Sequence, residues 1–75
     1  MTKQAIVWGQ TGCGYCNLAW DLLDSKGYDI DYRVIGEEYS KEDFLAANPG
    51  CRSVPQVYIN KEHVGGYDDL VEYLR

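Results

Sequence analysis

An α/β fold is what this chain of 75 residues predicts, on three observations. Short runs of strand character alternate with stretches whose apolar residues recur at i, i+3 and i+4. Glycines, prolines and capping residues stand at the joints between them. No stretch repeats, is low in complexity or reads as an interdomain linker, so residues 1–75 are expected to form a single domain.

Lys3 to Trp8 is β-rich and apolar enough for a central strand, and Gly9 to Gly14, with three glycines, makes a loop. A helix starts near Tyr15: Ala19, Leu22 and Leu23 share one face, Asp21 and Asp24 point elsewhere, and Gly27 after Lys26 supplies a C′ stop. From Asp29 to Ile35 polar and apolar residues alternate, with Ile30, Tyr32 and Val34 against Asp29, Asp31 and Arg33. That suits a strand with one buried face. Ser40-Lys41-Glu42-Asp43 fits a capping box ahead of Phe44-Leu45-Ala46-Ala47, and Pro49-Gly50 ends this short helix. Cys51-Arg52-Ser53 is loop. Pro55 to Ile59 has strand composition after its first residue, Asn60-Lys61-Glu62 is a turn, and His63-Val64 a short returning strand. Gly65-Gly66-Tyr67-Asp68-Asp69 opens a last helix, Leu70 to Leu74, with acids where the dipole favours them. The order reads βαβ-α-ββ-α.

Composition narrows the function classes. A hydrophobic share of 45% is too high for a disordered chain, and seven tyrosines bring large rings to a thin core. Twelve acids against seven bases leave a net charge of −5, which argues against nucleic-acid binding and steers the chain toward positively charged partner surfaces. Met1-Thr2-Lys3-Gln4 enters an apolar strand directly, without a signal-peptide h-region, and nothing nears the ~20 apolar residues of a membrane span. A cytoplasmic monomer away from the membrane is expected.

Cys13-Gly14-Tyr15-Cys16 lies where the first strand hands over to the first helix. Amides at a helix start lack intrahelical partners and carry the positive end of the dipole, so a sulfur there is favoured as thiolate. Cys13 is therefore the candidate nucleophile. Cys16, one turn on, faces the same side, so the two sulfurs can close a disulfide and pass two electrons to a partner disulfide. Cys51 makes the cysteine count odd, which argues against a secreted disulfide framework; alone, it reads as a small half-buried hydrophobe.

Three markers in this order and spacing, the C-G-Y-C pair after strand one, Ser53-Val54-Pro55 before strand three and Gly65-Gly66-x-Asp68-Asp69-Leu70 at the last helix, resemble a small dithiol glutaredoxin. The resemblance spans nearly the whole chain. It implies a thioredoxin-like fold: a four-stranded mixed sheet flanked by three helices, with the dithiol at the start of helix one. It also implies a glutathione-dependent thiol–disulfide oxidoreductase with no tightly bound cofactor and glutathione as reductant. Its partners would be protein disulfides, ribonucleotide reductase among them.

The resemblance further implies a cis Val54-Pro55 bond, which turns the Val54 backbone toward Cys13 to pair with an extended thiol peptide. Gly66 lets a ligand approach, the amides of Tyr67 and Asp68 receive the γ-glutamyl carboxylate, and Asp69 accepts its ammonium. Arg52 is similar to the family's basic residue for the other carboxylate, and Tyr15 to its aromatic shield over the mixed disulfide. The chain departs from the family pattern at Gly14, often proline, at Gln10, often lysine, and at Glu42, where Lys41 alongside can compensate. Other functions would use the same atoms. Cys13, Cys16, Cys51 and His63 could supply a Cys₃His zinc set, and some family members carry an iron–sulfur cluster between subunits, mostly those with a single-cysteine C-G-F-S site. A thioredoxin-like redoxin reduced by a flavoprotein is the nearest alternative within the fold.

Overall fold

The structure, a computed structural model, describes residues 3–75; the Met1-Thr2 part of the leading segment lies outside it. Among the described residues the elements run β1 Gln4–Gly9, α1 Gly14–Ser25, β2 Asp29–Val34, α2 Lys41–Ala47, β3 Gln56–Ile59, β4 Glu62–Gly65 and α3 Tyr67–Tyr73. This is the expected order. The strands form one mixed sheet ordered β2-β1-β3-β4, with β1 parallel to β2 and antiparallel to β3, and β4 antiparallel to β3. The fold is thioredoxin-like, and the apolar β1 holds a central place in the sheet.

Period-two alternation sorts the strand residues onto two faces. On one, Ala5, Val7, Val57 and Ile59 meet Ala19 and Leu23 of α1 and Leu70 of α3 in the main core. Ile30 and Tyr32 of β2 pack against this core, as their alternation predicts. On the other face Trp8 stands edge-on to Phe44 of α2, ring centroids 5.8 Å apart, and to Tyr39 at 5.0 Å. The Arg33 guanidinium lies 5.3 Å from both the Trp8 and Tyr39 rings while pairing with Asp31 at 3.0 Å. These aromatic and cation–π contacts fix α2 and the segment before it against the sheet end that carries the cysteines.

Caps set the helix ends. Ser40 and Asp43 exchange the two bonds of a capping box, at 3.0 and 2.9 Å, as the sequence predicts. Gly27, at φ +81°, follows the end of α1 as the expected stop. Several boundaries shift by a residue or more. Gly9 belongs to β1 because it still pairs with Val34 in the parallel ladder, and Gly14 belongs to α1 because Cys13 serves as N-cap. Asn60 and Lys61, at φ 49° and 72°, make a two-residue turn with both φ values positive, so Glu62 already pairs with Ile59 and β4 runs on to Gly65. Helix α3 starts at Tyr67, a turn before Leu70, with Asp68 and Asp69 inside its first turn.

Candidate active site

Cys13 ends the loop after β1, its N–H donating to the Gln10 carbonyl at 3.3 Å. Its backbone is extended, φ −90° and ψ 110°, and its Sγ accepts the N–H of Cys16 at 3.1 Å. A sulfur thus fills the place where a serine or aspartate oxygen usually caps a helix. Cys16, wholly buried one turn into α1, is joined to Cys13 in a disulfide, with Cα atoms 5.2 Å apart. Cys13 is half-buried, so an incoming sulfur finds the pair from the Cys13 side. The Thr11 hydroxyl donates to the Glu37 carboxylate at 3.0 Å and ties this loop to the segment after β2.

Two hollows share the Ser53-Val54 segment, and Cys13 lines the larger of them. The larger, about 770 Å³, is walled by Cys13, Ile35, Phe44, Leu45, Ser53 and Val54, with Gln10 and the cations Lys41 and Arg52 at its edge. The smaller, about 260 Å³, lies between Tyr15, Ser53, Val54, Pro55, Gly66, Tyr67 and Asp68. Ser53 and Val54 border both, and the Val54-Pro55 peptide is cis as the resemblance implied. Tyr15 is 63% exposed, its ring centroid 5.8 Å from that of Tyr67, so the two rings flank the smaller hollow as a pair.

Of the residues singled out in the sequence, Arg52 and Lys41 join Cys13 in the larger hollow, while Tyr15, Pro55, Gly66, Tyr67 and Asp68 gather in the smaller one. Asp69 stands apart from both linings. Its Oδ2 accepts the Gly66 N–H at 3.2 Å, bracing the start of α3. Glu42 is likewise absent from the walls of the larger hollow. Ile35, Phe44 and Leu45 were legible as strand and helix residues, yet no local pattern marked them as walls of this site.

The four candidate zinc donors are not brought together. Cys13 and Cys16 are bonded to each other, Cys51 is a half-buried free thiol, and the His63 ring bonds Gln56 at 2.8 Å and stacks on Tyr58 at 4.8 Å. Among the described residues no three His, Cys, Asp or Glu side chains gather as a metal set. Burial raises the pKa of the Tyr32 and Tyr58 hydroxyls, and the neighbouring Cys51 raises that of Tyr58 further.

A family model named glutaredoxin matches residues 2–64, most of the chain, cysteine pair and Ser-Val-Pro segment included. The chain belongs to the glutaredoxin family. Among curated relatives of this glutaredoxin, glutaredoxin 1 of Escherichia coli K12 is 32% identical over 79 residues, covering 96% of this chain and 93% of that protein. A buckwheat glutaredoxin–glutathione complex superposes with a TM-score of 0.71 at 30% identity, covering 97% of this chain and 69% of the other. Glutaredoxin 1 of Francisella tularensis, crystallised with cacodylate, shares the fold at a TM-score of 0.81, with 22% identity and coverage of 97% and 93%. This glutaredoxin is a thiol–disulfide oxidoreductase carrying a Cys13–Cys16 disulfide, as a C-x-x-C active site would.

Proposed function

We propose that this glutaredoxin draws electrons from glutathione and delivers them to protein disulfides and glutathione mixed disulfides. The observation that carries the reading is Val54, which borders both hollows and shares the larger with Cys13. An extended thiol tripeptide with its sulfur at Cys13 can pair with the Val54 backbone and send one arm into each hollow. Lys41 and Arg52 then meet its glycyl carboxylate. The amides of Tyr67 and Asp68, with Gly66 and Pro55 as floor, receive its γ-glutamyl carboxylate, and Asp69 offers the ammonium a carboxylate one residue on. Tyr15 covers the mixed disulfide. A buckwheat relative solved with glutathione supports the same ligand here.

In the cycle, Cys13 thiolate attacks the substrate disulfide and forms a mixed disulfide; Cys16 then attacks the Cys13 sulfur, releases the reduced product and closes the Cys13–Cys16 bond. Glutathione restores the dithiol, and no tightly bound cofactor takes part. The substrate disulfide can be that of ribonucleotide reductase, in keeping with so small a redoxin. A single-domain cytoplasmic monomer fits the net charge of −5 and the absence, among the described residues, of a helix long and apolar enough to cross a membrane. A coupled assay comparing glutathione with a thioredoxin reductase as donor tests this. Turnover with glutathione is expected; efficient turnover with the flavoprotein alone would overturn the donor assignment.

A further inference from the structure

Cys16 is wholly buried, so when the Cys13–Cys16 bond opens its sulfur departs as an anion at a place screened from bulk water. A leaving group in that position needs a hydrogen-bond donor from the protein. The nearest helix amide, that of Cys16 itself, is directed at Cys13 Sγ. A hydroxyl donor stands near Cys16 beside the bare α-carbon of Gly9. A methyl group there would stand 2.6 Å from the Tyr32 hydroxyl oxygen and 3.1 Å from Cys16 Sγ. Hydroxyl and sulfur therefore converge on one point, closer together than those two distances laid end to end. Tyr32 arrives there because its place opposite Val7 in the β1–β2 ladder turns it to the core face, beneath α1.

We propose that the Tyr32 hydroxyl is the hydrogen-bond donor that stabilises the Cys16 thiolate whenever the active-site disulfide opens or forms. In the opening step an external thiolate attacks Cys13 Sγ and bonds to it. The electron pair of the broken S–S bond stays on Cys16 sulfur, and the Tyr32 O–H turns to that charge while keeping its own proton; solvent later protonates the thiolate. In the closing step the same bond favours the Cys16 thiolate that attacks the mixed disulfide. Burial raises the tyrosine's pKa, which keeps the hydroxyl protonated and able to donate. Around Cys16, β1 presents Gly9, which has no side chain, α3 adds apolar Leu70 to the core below, and the α1 N-cap Cys13 is already bonded to it.

The test is Tyr32→Phe, which keeps the ring and removes the oxygen. Opening of the oxidised protein by mercaptoethanol, a thiol too small to need the two hollows, should slow by ~10-fold or more, as for loss of one hydrogen bond to a charged group. Isotope-labelled Cys16 followed by NMR should titrate at higher pH than in the wild type, and the effect of Tyr32→Phe should vanish in a Cys16→Ser background. Wild-type opening rates in folded Tyr32→Phe, or an effect that persists without Cys16, would overturn the assignment and leave the glutathione reading untouched. Fluorotyrosine at position 32, with its more acidic hydroxyl, gives a second readout should Tyr32→Phe not fold. It should speed opening, and a rate indifferent to the fluorine would also overturn the proposal.

Discussion

Replacing Gly14 with proline should stabilise this protein by about 1 kcal/mol at a fixed redox state. Gly14 is the first residue of α1, where the N–H that proline lacks has no intrahelical acceptor in any case. The residue before a proline must be extended, and Cys13 already is, at φ −90° and ψ 110°. A Cβ placed on Gly14 meets no atom within 4 Å beyond its chain neighbours and the adjoining helix backbone, so the first added carbon finds room. The gain arises in the unfolded chain: a compatible proline removes about 0.4–1 kcal/mol of conformational freedom, and glycine has the most to lose. For a domain of 75 residues, 1 kcal/mol moves Tm by ~4–8 °C. Reversible thermal unfolding followed by circular dichroism, on the reduced and the oxidised protein separately, measures it. A Tm lowered in both states would show that the Gly14 amide or its glycine backbone is needed at the mouth of the helix, and would refute the reasoning.

Two further outcomes follow from the same geometry. Gly65→Ala should cost ~2–4 kcal/mol: its φ of +122° strains any side chain, and the new methyl runs into the Asp69 carboxylate that caps Gly66. Urea denaturation reads the loss, and a change under about 1 kcal/mol would show that Asp69 moves aside freely. At alkaline pH, the folded protein holds the Tyr32 and Tyr58 protons more tightly than the unfolded chain, above the ordinary 10.0, chiefly through burial. That contribution is complete below pH 10 and drains away as pH climbs through the raised values. Urea midpoints taken from about pH 8 to about pH 11 should fall at the upper end, and Tyr58→Phe should flatten part of the fall.

The reach of local patterns explains what was legible. Ile30, Tyr32 and Val34 alternate with charged residues, Ser40 and Asp43 stand three apart, and Gly27 follows Lys26; each signal works within a few residues, so helices and strands emerged in order. The placement of Cys13 at a helix mouth was legible for the same reason. Boundaries slipped where a long-range partner decided them: Gly9 stays in β1 through its pairing with Val34, and Glu62 enters β4 through Ile59. Asp69 was expected at the ligand; that one of its carboxylate oxygens also accepts the Gly66 amide was not read from the sequence.

The order of elements, the dithiol and its position at the start of α1 were written in the chain, because burial periodicity and capping depend on neighbours a turn or a pleat away. The shape of the two hollows, the Ile35, Phe44 and Leu45 walls of the larger one, and Tyr32 near Cys16 were decided by the tertiary structure. Each joins side chains from different elements, and their meeting is set by strand register and helix packing, quantities that no short stretch of residues encodes.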